Sequence, residues 1–242
     1  MSDTNDQLAL ISGASATGKS VSLHKIRDQP DWIYLNCEGK RLPFKNNFNA
    51  FRISDPYQVH EAFDAAMDGK INAKGIITDT TTFMMDMLET QYVIGAPNTQ
   101  QAWGDFAQFW RTLMMDKVVN FGKPVLMLAH TLTTLNESLG EYQTAVPVKG
   151  SLKNQGIEAY FSTVVSTKKV TLKELEPYHN NLLNISEEDE LLGYKHVFQT
   201  RLTKATKNER IRSPMGMFTK EQTYIDNDAQ LLLDHLNSYY GV

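Results

Sequence analysis

Four short apolar runs set the rhythm of the chain. Leu8-Ala9-Leu10-Ile11, Trp32-Ile33-Tyr34-Leu35, Gly75-Ile76-Ile77 and Val125-Leu126-Met127-Leu128-Ala129 are each too short for a helix and too continuous for a half-exposed strand. They predict strands buried on both faces. Between and after them the apolar period changes to that of a helix. Over 56–68, Val59, Ala62, Phe63 and Met67 share one face, and over 103–120 Phe106, Phe109, Trp110, Leu113, Met114 and Val118 do the same. A Met-rich helix is expected over 83–92. A last one is expected over 222–240, with Ile225, Ala229, Leu232, Leu233 and Leu236 on its apolar face. Further strands are expected at 51–53, 161–166 and 194–203. Strand–helix alternation of this kind predicts an α/β fold, a mainly parallel sheet with helices on both faces.

The remaining segments lack a clear period. Residues 41–49 read as a polar, basic loop and 93–101 as a second loop. Residues 131–156 carry several glycines and weak periodicity, and no regular structure is expected there. Residues 168–193 read as an insertion, with Pro177, Asn180-Asn181 and the acidic run Glu187-Glu188-Asp189-Glu190 as a solvated face. Residues 1–6 are polar and expected to fray. The whole of 1–242 is read as one domain.

Candidate chemistry sits where these strands end. Directly after the first run comes Gly13-Ala14-Ser15-Ala16-Thr17-Gly18-Lys19-Ser20, which satisfies G-x-x-x-x-G-K-[ST]. Glycines let the backbone wrap so that consecutive N–H groups form an anion nest. Lys19 adds a mobile positive charge for the β- and γ-phosphates, and the Ser20 hydroxyl suits Mg²⁺. A helix is expected to start near Gly18, its positive end facing the phosphates, and to run to about Asp28.

The other strand ends add three groups. The second strand leads into Cys37-Glu38-Gly39, and ligands in open α/β sheets bind at strand C-termini. Glu38 is therefore either a residue that orients water at a γ-phosphate or an ordinary loop glutamate. Lys74-Gly75-Ile76-Ile77-Thr78-Asp79 ends in an aspartate at the distance from Lys19 that suits a Mg²⁺-holding carboxylate. Thr80, Thr81 and Thr82 follow, as support for a metal site or as helix caps. His130 closes the fourth run, either as a γ-phosphate sensor or as a structural histidine.

Composition narrows the classes. A net charge of −4 argues against a constitutive polyanion binder while leaving room for a local basic face. One cysteine, Cys37, excludes an intramolecular disulfide framework and fits a reducing compartment. No apolar run approaches a membrane span and the first seven residues do not form a secretory leader, so a soluble, cytoplasmic protein is expected. No metal-ligand cluster and no internal repeat stands out.

In order and content, Gly13 to Ser20, Tyr34-Leu35-Asn36-Cys37-Glu38-Gly39, Ile76-Ile77-Thr78-Asp79 and the run ending at His130 resemble the RecA-like ATPase core. The whole resembles the short RecA-like ATPases of bacteriophages, some of which act as single-strand annealing proteins. Trp103-Gly104-Asp105-Phe106 also looks like that group. The resemblance spans roughly residues 8–218 and rests on the motifs. It implies ATP and Mg²⁺ as cofactors, Glu38 as catalytic base, single-stranded DNA as partner and a homo-oligomer, a ring or filament, in the host cytoplasm. Loops 93–101 and 131–156 would then face DNA, with Lys149, Lys153 and Tyr142 as contacts. Lys207-Asn208-Glu209-Arg210 resembles the Lys-Asn-Lys element with which RecA reaches a neighbour's ATP, at a spacing one residue longer. Lys207 or Arg210 would be the trans-acting cation. Two features depart from the family: His130 stands where bacterial RecA has glutamine, and 168–193 has no counterpart. Two other classes compete, a nucleotide or small-molecule kinase with 204–212 as lid, and a regulatory ATP-binding subunit.

Overall fold

The computed structural model describes residues 4–137 and 140–241. Ten strands form: β1 (Leu8–Gly13), β2 (Trp32–Asn36), β3 (Asn49–Arg52), β4 (Gly75–Asp79), β5 (Val125–His130), β6 (Leu132–Asn136), β7 (Glu141–Ala145), β8 (Thr163–Thr171), β9 (Tyr194–Gln199) and β10 (Tyr224–Asp226). The α-helices are α1 (Tyr57–Met67), α2 (Thr81–Leu88), α3 (Thr99–Thr112), α4 (Val118–Phe121), α5 (Leu172–Leu175), α6 (Glu187–Leu192) and α7 (Ala229–Tyr240). Eight strands make one sheet in the order β10-β9-β8-β1-β5-β4-β2-β3, while β6 and β7 pair separately. From β8 to β3 every pairing is parallel; β8–β9 and β9–β10 are antiparallel.

The apolar runs became central strands because both faces are covered. Side chains alternate across a strand, so Leu8, Leu10, Ile33, Leu35, Ile76 and Met127 enter one core with Phe63, Met84, Phe106 and Trp110. Ala9, Ile11, Trp32, Tyr34, Ile77 and Leu128 enter the other with Leu23, Phe198, Leu232 and Leu236. Helices α1 to α4 thus cover one face and α7 the other. No described helix is long and apolar enough to cross a membrane.

Several expectations are corrected. The segment after the phosphate loop is a 3₁₀ turn, Ser20–Lys25, rather than an α-helix to residue 28. Ser22 Oγ donates back to Lys19 O at 2.6 Å, and a hydroxyl bonding its own backbone competes with helix propagation. The helix over 103–120 begins earlier, at Thr99, because Asn98 accepts from the Gln101 N–H as N-cap. It passes through a π-helical turn, Leu113–Lys117, into α4. Residues 131–156 hold the β6–β7 hairpin. Its strands are mostly exposed or half-buried, so they lack the polarity contrast that marks a strand in sequence.

Residues 168–193 are not simply an insertion. β8 extends to Thr171, and the acidic run is α6, capped by Ser186 and Asp189. Val170, Leu175, Val197 and Tyr224 form a small core beneath it. The last helix starts at Ala229, not 222: Tyr224–Asp226 pairs with β9, and Asp228 caps α7 by accepting from the Gln230 and Leu231 N–H groups. Fraying of 1–6 fails at Asn5, whose Nδ2 donates to Val118 O and Lys123 O. Residues 1–3 lie outside the described residues.

Candidate active site

The register of the parallel strands brings the candidate residues to one level. Gly13 pairs with His130, and Asn36 with Asp79. Thr131 N donates to Gly13 O at 3.0 Å and Cys37 N to Asp79 O at 2.7 Å. The phosphate loop, Glu38, Asp79 and His130 therefore share the C-terminal edge of the sheet.

Within the loop, Gly13, Ala14, Ser15, Ala16, Thr17, Gly18, Lys19 and Ser20 wrap with Ala16 left-handed (φ 61°) and Gly18 at φ 104°. Lys19 is buried and its Nζ donates to Gly13 O at 2.9 Å and Ala14 O at 2.8 Å. Burial lowers its pKa to about 8, against the opposing pull of Asp79 and Glu38. Asp79 is buried too. Its Oδ2 accepts from Ser20 Oγ at 3.1 Å and Tyr34 OH at 2.8 Å. Its Oδ1 is buried with no hydrogen-bond partner among the described residues. Burial, with Glu38 nearby, holds the Asp79 carboxyl above its ordinary range, although Tyr34, Ser20 and Lys19 pull the other way. A buried carboxylate oxygen without a donor, beside a serine hydroxyl, is the donor set a hard divalent cation takes. Among the described residues no cluster of three His, Cys, Asp or Glu side chains forms.

Glu38 is the most connected group. Its Oε1 accepts from His130 Nε2 at 2.9 Å and from Thr80 Oγ1 at 3.3 Å, and Lys40 Nζ lies 3.4 Å from Oε2. Burial alone would raise its pKa, but the hydrogen bond and charge of His130, with Lys40, outweigh that and hold it below the usual value. His130 is fixed in turn: its N–H donates to Thr82 Oγ1 at 2.9 Å and its ring meets Phe83 edge-on. The capping role weighed for the threonines is not seen, since Thr80 at the N-cap of α2 makes no side-chain capping bond. Thr80 supports Glu38, Thr82 supports His130, and Thr81 Oγ1 donates to Leu128 O. Cys37 is buried and its thiol is pushed upward by that burial, so it is no nucleophile.

Lys207 and Arg210 do not join this cluster within the chain. Lys207 Nζ pairs with Glu141 at 2.6 Å, Asn208 Nδ2 donates to the same carboxylate, and Arg210 NH1 lies 3.4 Å from buried Glu158. The 204–212 stretch thereby ties the β6–β7 hairpin to the body rather than lying over the loop.

Sequence reasoning missed the residues that grip the phosphate loop from its other side. The Thr17 hydroxyl meets that of Thr167, His196 Nδ1 donates to Thr17 O at 2.9 Å, and Asn227 Nδ2 donates to Gly18 O at 2.9 Å. A Cβ at Gly13 would lie 2.1 Å from Thr167 Oγ1, so the first glycine is required by close approach. Tyr34, read only as a strand residue, is the donor to Asp79. No protein-family model matches the chain, and no curated protein matches it.

Proposed function

We propose that the chain is a RecA-like ATPase of the bacteriophage type, which binds ATP with Mg²⁺, hydrolyses it, assembles with copies of itself and acts on single-stranded DNA in recombination or annealing. The observation that carries this reading is the convergence of the phosphate loop, Asp79 and the His130-held Glu38 at one edge of the sheet. Each group matches one need of phosphoryl transfer to water. Ser20 and Asp79 would hold Mg²⁺, which would supply positive charge against the phosphates. Lys19 exchanges its two loop carbonyls for phosphate oxygens. Glu38, ionised at neutral pH, takes a proton from water as the water oxygen bonds to the γ-phosphorus and the bond to the bridging oxygen breaks, releasing ADP. His130, donating to Glu38, keeps that carboxylate oriented.

The kinase reading needs a lid over the loop, and its candidate stretch is occupied with the hairpin. The DNA reading draws on that hairpin, which leaves the sheet directly after His130. Tyr142 is two-thirds exposed and open to stacking, and Leu132 and Leu135 are about half exposed. Lys149 is engaged with Glu89 at 2.7 Å.

Glu38→Gln tests the chemistry. Turnover should fall about 10²- to 10⁴-fold with ATP affinity retained; normal turnover would place the base elsewhere. For assembly, Lys207→Ala or Arg210→Ala should cut hydrolysis while sparing ATP binding. Mixing Arg210→Ala with Lys19→Ala subunits should recover activity. A strictly monomeric protein that still hydrolyses ATP removes the trans-acting role.

A further inference from the structure

In a trans peptide the C=O of one residue and the N–H of the next point in opposite directions. Fixing a carbonyl therefore aims the following N–H. In the phosphate loop two consecutive carbonyls are fixed by side chains from elements far away in sequence. Thr17 O accepts from His196 Nδ1 on β9, and Gly18 O accepts from Asn227 Nδ2 in the link between β10 and α7, both at 2.9 Å. The N–H groups on the far sides of those two peptides belong to Gly18 and Lys19, in the part of the loop that a phosphate must reach.

The approach of Asn227 depends on the second glycine. A Cβ at Gly18 would lie 2.6 Å from Asn227 Nδ2 and 3.4 Å from His196 Nδ1. Both donors are themselves held. β8 runs on past the level where β1 ends, since Ser12 pairs with Ser166 and β8 continues to Thr171, and β9 pairs alongside with His196 opposite Lys169. Asn227 is flanked by Asp226, paired in β10, and by Asp228, the α7 cap.

We propose that His196 and Asn227 are positioning residues of the phosphate loop, turning the Gly18 and Lys19 N–H groups toward the bound anion. The proposal rests on the reading that this loop takes phosphate. Without His196 the Thr17–Gly18 peptide loses that donor, and without Asn227 the Gly18–Lys19 peptide keeps the Ser22 N–H, 3.0 Å from Gly18 O, so part of the anion nest is held less firmly and must be ordered at the moment of binding.

The test is equilibrium binding of inorganic pyrophosphate and of ADP to the full chain, by calorimetry, with melting temperature recorded for each variant. His196→Leu and Asn227→Leu should each weaken binding of both ligands about five- to tenfold, the scale of one hydrogen bond. His196→Asn, whose amide nitrogen takes the place of the imidazole Nδ1, should recover binding to within about threefold of wild type. A purely structural role would lower the melting temperature without following donor chemistry. If wild type binds ADP and both leucine variants bind within twofold of it, or if His196→Asn binds no better than His196→Leu, the positioning role is overturned. If wild type binds neither ligand, the reading of the loop as a phosphate site falls, and this proposal with it.

Discussion

The two halves of the sheet use charge in opposite ways. On the parallel side, strand ends present Glu38, Asp79 and His130 to one another and to Lys19, with a carboxylate oxygen left without a donor and a lysine pushed down to about pH 8. On the antiparallel side several charges near the ribbon are paired with one another. Lys168 pairs with Glu209 at 2.6 Å, Lys195 with Asp189 and Asp226, and Lys25 with Asp228. A buried carboxylate oxygen without a donor is costly, and on the proposed reading an incoming ligand supplies the partner that Asp79 Oδ1 lacks. The pairs on the other side lie on the elements that form a wall against the loop, through Thr167, His196 and Asn227. The groups of the proposed chemistry and the donors proposed to aim the loop N–H groups thus come from different halves of one sheet.

The comparison is broken most directly by Lys19→Ala. Removing the charge on the parallel side should weaken ATP binding about 100-fold, the loss of charge-assisted contacts to phosphate; near-normal affinity by calorimetry would contradict the assignment. The next effect is read from pH. The Lys19 pKa is depressed on folding, so the unfolded chain holds its proton over the window from about 8 to the ordinary lysine value. Across that window the lysine contribution to stability rises with pH, because the neutral form is the one burial favours. Affinity for ATP moves the other way: between pH 7 and 9 it should fall about tenfold, with proton uptake on binding visible in buffers of different ionisation enthalpy. A flat profile would show Lys19 fully charged across this range. The smallest effect belongs to the ribbon. Lys195→Met leaves Asp189 and Asp226 without their shared cation and should cost about 1 kcal/mol, lowering the melting temperature by roughly 3 °C. ATP affinity should stay within about twofold of wild type. A large loss of affinity would mean that charge on the ribbon acts at the site and not only in its wall.

The same division explains what was legible in the sequence. The parallel half is written in local signals: an apolar run, then a chemical residue, four times over. Those runs are buried on both faces, so hydrophobicity alone marked them, and the loop motif fixed what lay beyond the first. Asp79, Glu38 and His130 followed from their position at strand ends. Thr167, His196 and Asn227 carry no local mark, because their role depends on residues that meet only when β8, β9 and β10 fold back beside β1. The hairpin was illegible for another reason, since Leu132, Leu135 and Tyr142 face solvent and give no contrast of polarity. The start of α7 was readable in principle. Asp228 is a capping residue ahead of an apolar helical period, while Tyr224 and Ile225 before it favour a strand.

The grip on the loop by Thr167, His196 and Asn227 has a consequence for how the protein is made. The ribosome delivers the glycine-rich motif early, whereas β1 waits for β5 and β8 as neighbours and the loop waits for residue 227. Contacts of such long range form late and slowly. A nascent chain therefore carries its glycine-rich motif without the contacts that hold it until residue 227 has emerged, and on the proposed reading ATP selects for chains in which those contacts have formed. Chains stalled with residues up to 160 exposed should wash through immobilised ATP, and chains with all 242 residues exposed should be retained.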